Sequence, residues 1–206
     1  SGIVELTKGL LMEGHFVELV TNALSTKVIN TLLEIPDQFL SHLEFKISFH
    51  YKELQRKNLL THFFRNVQSI KASAASFSLE LMPYDEIETC IDEINRICIE
   101  KVGAKCHATI GRKDSAAGRG LLTEHSKENF ANIWAPLDSE MFRYKMELID
   151  VKRKEFCYAG SWTLYVDLST GDARQCYGQP INQNIFRDIS KPILFIPVGF
   201  YCVQPY

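Results

Sequence analysis

The sequence predicts an α/β protein: a partial parallel βα barrel followed by a small, cysteine-bearing β-hairpin domain. Three observations lead there. From Ile3 to Ile110, strand-like runs alternate with segments of helical periodicity. The second, third and fourth of those strands carry polar residues at every second position. From about Glu155 the texture changes to short strands and turns, with three cysteines among them.

Taken in order, Ile3 to Glu13 reads as a helix stopped by Gly14. Phe16 to Val20 follows as a strand ending at Thr21-Asn22, then a helical stretch from Thr26 to Leu33 and a turn at Pro36. Phe45 to Phe49 alternates with period two. Leu59, Leu60, Phe63, Phe64, Val67 and Ile70 share one helical face. Phe77 to Leu81 is a third strand, stopped at Met82-Pro83, and Ile87, Cys90, Ile91, Ile94, Ile97 and Cys98 recur at helical spacing. Cys106 to Ile110 makes a fourth strand, a Gly- and charge-rich stretch covers Gly111 to Gly120, and a last helix lies near Ser126 to Trp134. Strand, helix, strand, helix implies parallel strands with right-handed crossovers.

The strand faces point to a site. Parallel strands covered on both sides read as continuous apolar runs, and these do not. Phe45, Ile47 and Phe49 oppose Lys46, Ser48 and His50; Phe77, Leu79 and Leu81 oppose Ser78 and Glu80; Cys106, Ala108 and Ile110 oppose His107 and Thr109. A closed barrel fills its interior with branched apolar side chains. A polar inner face therefore suggests an open or partial barrel holding a ligand, while a sheet with one solvated face gives the same alternation. Ligands of βα sheets sit at the carboxyl ends of the strands, which places Asn22, Ser48, His50, Glu80, Thr109 and Arg112 nearest to one. Each has a plain counterpart: Glu80 pairing with Lys46 across the sheet, or His50 capping the following loop.

Composition excludes several classes. The chain has 206 residues, 46% of them hydrophobic, and a formal charge of −2, with no electrostatic reason to expect nucleic acid or an anionic membrane as partner. No apolar run reaches the length of a membrane span and no signal-peptide order opens the chain, so the expected compartment is the cytoplasm.

Six cysteines in a chain this long read as metal ligands or core residues rather than a disulfide scaffold. Trp162 to Leu168 and Ala173 to Tyr177 look like a hairpin around Ser169-Thr170-Gly171-Asp172, with Cys157 just before it and Cys176 at its far end. Cys202 follows later. Thiolates so placed suit zinc or an iron–sulfur cluster. The absence of a CxxC pair and of any histidine after His125 weighs against zinc-ribbon and Cys/His zinc sites. Buried core thiols are the alternative. Cys90, Cys98 and Cys106 are expected in the core, and Trp134 and Trp162 are expected to pack.

At these residues the sequence resembles a known family. Cys157, thirteen residues, Gly171, four residues and Cys176 fit the C-x(9–15)-G-x4-C pattern of the SPASM and twitch auxiliary-cluster domains of radical S-adenosylmethionine enzymes. Cys157 to Asp167 and Asn184-Ile185-Phe186 are similar to the text around that pattern. Gly14 to Asn22 resembles the helix-to-strand passage after the Gly-Gly-Glu segment of their barrels. Lys46-Ile47-Ser48-Phe49-His50-Tyr51 looks closest to a subgroup that often accompanies polysaccharide biosynthesis.

The resemblance implies a radical S-adenosylmethionine half-barrel over 1–120, a connecting helical segment over 121–154 and a twitch-like domain over 155–206. It implies S-adenosylmethionine and a [4Fe-4S] auxiliary cluster as cofactors. Asn22, Ser48, Glu80 and Thr109 would contact S-adenosylmethionine or substrate, His50 and Arg112 would serve catalysis, and Cys157, Cys176 and Cys202 would hold the auxiliary cluster. The complete enzyme would cleave S-adenosylmethionine to a deoxyadenosyl radical and take hydrogen from an unknown substrate, with flavodoxin or ferredoxin as electron donor. The CxxxCxxC loop and the Gly-Gly-Glu segment are not among these residues, and both are expected before residue 1. The chain thus reads as trimmed at both ends and inactive alone. A non-catalytic scaffold with a structural zinc on the three C-terminal cysteines is the alternative.

Overall fold

A computed structural model describes residues 2–115, 118–151, 154–176 and 178–201. The chain is mixed α/β and divides into two compact units, Ser1–Glu147 and Leu148–Tyr206.

The first unit is built on a four-stranded, all-parallel sheet in sequential order: β1 (Val17–Thr21), β2 (Leu43–Ser48), β3 (Ser76–Leu81) and β4 (His107–Ala108). Helix α1 (Ile3–Met12) leads in and closes on Gly14, whose φ of +85° turns the chain so that the His15 N–H reaches back to the Leu10 carbonyl at 3.1 Å. Between β1 and β2 come α2 (Thr26–Leu33) and a single turn, α3 (Asp37–Leu40). Between β2 and β3 come α4 (Tyr51–Arg56) and α5 (Leu60–Lys71). A 3-10 helix (Asp85–Cys90) runs into α6 (Ile91–Val102), which returns the chain to β4.

The core follows from the alternation in the strands. Leu43, Phe45, Ile47 and Phe49 are all buried, as are Leu79 and Leu81 of β3. Against them lie Ile29 and Leu32 of α2, Phe63, Phe64, Val67 and Ile70 of α5, and Ile94 and Cys98 of α6. Phe49 stacks on Phe63 with ring centres 5.3 Å apart and meets Phe64 edge-on at 5.5 Å, offset and edge arrangements that aromatic quadrupoles favour.

Several elements differ from the sequence expectation. The fourth strand is two residues long, although the Thr109 N–H still bonds the Leu81 carbonyl at 2.8 Å. The Gly- and charge-rich stretch, for which no strand is expected, forms an antiparallel pair, β5 (Arg112–Ser115) and β6 (Gly118–Leu121). After α7 (Lys127–Trp134) and a 3-10 turn, a further helix, α8 (Glu140–Leu148), packs Phe142 near Phe130. Trp134 is fully buried, as expected of a packing residue.

The second unit holds a three-stranded antiparallel sheet, β7 (Tyr165–Val166), β8 (Asp172–Arg174) and β9 (Gln183–Asn184). The hairpin around Gly171 is present but shorter than its alternation suggested. Trp162 is 77% exposed rather than packed inside. It stacks face to face on Tyr158, 4.6 Å between ring centres. No helix among the described residues is long and apolar enough to cross a membrane.

Phe45 is the central side chain of the buried face, at zero exposure. Phe45→Ala is expected to lower the unfolding free energy by about 3–5 kcal/mol. Urea unfolding measures it, and a loss below about 1 kcal/mol would mean that the face is not close-packed.

Candidate functional site

Register brings the polar residues into rows. Partners in parallel register share a face, so Glu18, Glu44 and Ser76 form one row, Val20, Lys46 and Ser78 a second, and Ser48, Glu80 and His107 a third. Lys46 stands between two carboxylates, 3.7 Å from Glu18 and 3.6 Å from Glu80. Partly exposed pairs of this kind contribute about 1 kcal/mol or less. Their consequence is placement: Glu80, with its side chain 19% exposed, is held at the carboxyl end of β3.

A second cation reaches the same end from α8. The Lys145 ammonium donates to the Thr109 hydroxyl at 2.8 Å. Burial pushes the Lys145 ammonium below the ordinary lysine range; Glu80 opposes this, while Lys46 and Arg112 add to it. Glu80, Lys46, Lys145, Thr109 and Arg112 are thus electrostatically one neighbourhood. Mixed charges with hydroxyls beside them can receive a ligand that carries both a carboxylate and an ammonium.

Other predicted residues lie around this end. Ser48 is half-buried at the end of β2, in register with Glu80. Asn22 is exposed, and its Oδ1 accepts from the Leu24 N–H at 3.2 Å. His50 is exposed at the start of α4 and makes no side-chain capping bond there. Arg112 opens β5 on the surface.

The turn that carries Asn22 is strained and clamped. Ala23 is buried with φ of +53°, a left-handed conformation that costs a non-glycine residue about 1–3 kcal/mol. Buried Asn66 of α5 donates to the Ala23 carbonyl at 2.8 Å and accepts from the Thr26 hydroxyl at 2.9 Å. His62 Nε2 lies 3.0 Å from the Leu24 carbonyl. Two residues one turn apart on α5 therefore set the conformation of the loop after β1.

In the second unit Cys157 and Cys176 are free, half-buried thiols. The Cys157 N–H bonds the Phe200 carbonyl at 2.9 Å, and Phe156 bridges Tyr201, so the chain before Cys157 and the last described residues run side by side. Cys176 follows β8, and its carbonyl accepts from the Gln179 N–H at 3.1 Å. Cys202 lies outside the described residues. The glycine between the two described cysteines has a physical cause: Gly171 sits at φ +80°, and a Cβ there would meet the Phe186 ring at 2.7 Å. Cys98 and Cys106 are buried core residues with free thiols hydrogen-bonded to each other, and Cys90 packs partly buried against the core.

Sequence reasoning passed over Lys145, because no periodicity marks a contact that spans 36 residues. It also passed over Asp85, Glu88 and His125, the one group of three ligating side chains among the described residues whose donor atoms lie within 4.8 Å of one another. The spacing of Asp85 and Glu88 immediately after a strand was the available signal.

No protein-family model matches the chain, and no curated protein matches it.

Two outcomes follow from this geometry. Asn66→Ala leaves the buried Ala23 carbonyl without its donor and is expected to cost about 1–3 kcal/mol in thermal or urea unfolding. An unchanged stability would show that the clamp is not needed. For Lys145 the folded pKa lies below the unfolded one, so the unfolded chain binds more protons between the two values. Stability therefore rises with pH from the folded value up to the ordinary lysine range. Lys145→Met is expected to remove that rise in urea midpoints measured as pH increases toward the ordinary lysine range, and equal slopes would contradict it.

Proposed function

We propose that this chain is the barrel and auxiliary-domain portion of a radical S-adenosylmethionine enzyme. The first unit would form a partial βα barrel with its polar face inward, and the second a twitch-like domain holding an iron–sulfur cluster. The observation that carries this reading is the Cys157–Gly171–Cys176 spacing on a hairpin whose glycine has no room for a side chain. The sequential parallel sheet, with one polar face and one apolar face, supports the barrel half.

The donor set fits the cluster. Thiolates are the soft ligands that iron–sulfur clusters take, and Cys157 and Cys176 are unpaired and accessible. Cys202 would be the third. The unit also needs a staple: its buried residues, among those described, are Ile149, Gly160, Gly171 and Ala173, too few for a self-sufficient hydrophobic core. Zinc on the same three cysteines, in a non-catalytic scaffold, shares that support.

With its first cluster, S-adenosylmethionine would supply a deoxyadenosyl radical for hydrogen abstraction. The residues of this chain would bind and orient. The Glu80 carboxylate suits an ammonium, Lys145 and Lys46 suit a carboxylate, and the hydroxyls of Ser48 and Thr109 suit the polar edge of a bound cofactor. Asn22 would contribute from the clamped turn after β1. His50 and Arg112, exposed at the rim, would meet substrate or pass a proton. Flavodoxin or ferredoxin would deliver electrons, and the reduced thiols fit a cytoplasmic setting.

Anaerobic purification with iron and acid-labile sulfide analysis tests the reading. Iron with matching sulfide, lost in Cys157→Ser and in Cys176→Ser, is the expected result. Zinc without iron would instead support the scaffold. A chain that takes up neither metal after reconstitution would overturn the cluster assignment.

A further inference from the structure

Asp85 and Glu88 open the 3-10 helix that follows β3. In a 3-10 helix, side chains three residues apart eclipse one another, so the fold stacks two carboxylates on one face, where like charges repel. His125 arrives from the turn after β6, its backbone N–H tied to the Thr123 hydroxyl at 3.0 Å. Its Nε2 lies 2.7 Å from Glu88 Oε1. One donor atom from each of the three residues falls within 4.8 Å of the others. Donors around a divalent ion bonded at about 2.1 Å lie about 3–4 Å apart, so little contraction is needed.

A separate observation comes from the Asp85 carboxylate. Its Oδ2 accepts from the Glu124 N–H at 2.8 Å, but Oδ1 is shut off from water and has no hydrogen-bond partner. A carboxylate oxygen left unsatisfied in this way costs stability unless something fills it. Lys113 of β5 is engaged by Glu124.

We infer that Asp85, Glu88 and His125 form a binding site for a divalent transition-metal ion, held between the loop after β3 and the turn before α7. The ion would take one oxygen from each carboxylate and Nε2 of the neutral imidazole. Mixed nitrogen and oxygen donors suit zinc or manganese rather than an iron–sulfur cluster. Three protein ligands would leave coordination positions open. The loops after β3 lie at the carboxyl end of the sheet, where βα folds place their ligands. This site shares no residue with Cys157, Cys176 and Cys202, so it stands or falls apart from them.

Manganese(II) is the probe, because thiolates bind it poorly. The full chain, stripped with a chelator, is titrated with manganese and the free ion is read by electron paramagnetic resonance. One bound ion per chain is expected, displaced by zinc. Asp85→Asn and His125→Gln should each weaken binding by about tenfold or more, while Cys157→Ser combined with Cys176→Ser should leave it unchanged. Melting curves of the metal-free variants guard against misfolding, and exposed His125 is the milder change. Failure to bind manganese or zinc outside the cysteines, or binding that survives His125→Gln in a folded chain, would overturn the assignment.

Discussion

The period-two alternation of β2 is the constraint on which the first unit depends. Leu43, Phe45, Ile47 and Phe49 all point to the helices and are all buried. A slip of one residue in register would exchange them for Glu44, Lys46 and Ser48, driving charges into a packed core. The apolar face thus locks the strand, and the lock positions the polar face. The register partners of Lys46 are Val20 and Ser78, and its long side chain reaches diagonally to the carboxylates of the rows on either side, Glu18 and Glu80.

What the polar face can bind is decided by groups arriving from outside the strands. Lys145 crosses from α8 to the Thr109 hydroxyl, adding a cation whose charge is disfavoured by burial. At the other edge, Asn66 and His62 hold a strained alanine so that the turn after β1 presents Asn22. A buried amide spent on a left-handed non-glycine residue is a local cost met by the surrounding packing. Rigid strands and clamped turns together give a site its geometry, which is why the carboxyl ends of βα sheets so often carry function. In the second unit, where little is buried, the same part is played by a turn: Gly171 gives Phe186 room to lie over the backbone between the two cysteines.

Much of this was legible in the residues. Strands β1 to β3 and helices α1, α2, α5 and α6 follow from periodicity, since each has a strong apolar face in contact with the core. The pairing of Glu80 with Lys46 could be read from alternation alone. The shortness of β4 could not, because Cys106 to Ile110 keeps the same alternation beyond the two residues that form the strand. The antiparallel pair of β5 and β6 hid behind a glycine- and charge-rich composition for which no strand is expected. Trp162 is on the surface although tryptophan is usually packed, since its partner is Tyr158 rather than a core. The grouping of His125 with Asp85 and Glu88 joins segments about 40 residues apart, a kind of contact that local pattern does not encode.

We propose that the polar carboxyl end of the sheet receives S-adenosylmethionine. The most direct measurement is an amide chemical-shift titration of the folded chain with that compound, beside the same titration of Glu80→Gln. Shifts centred on Asn22, Ser48, Glu80 and Thr109, weakened in the variant, are the expected result. Shifts confined to other residues, or none at millimolar ligand, would contradict the account.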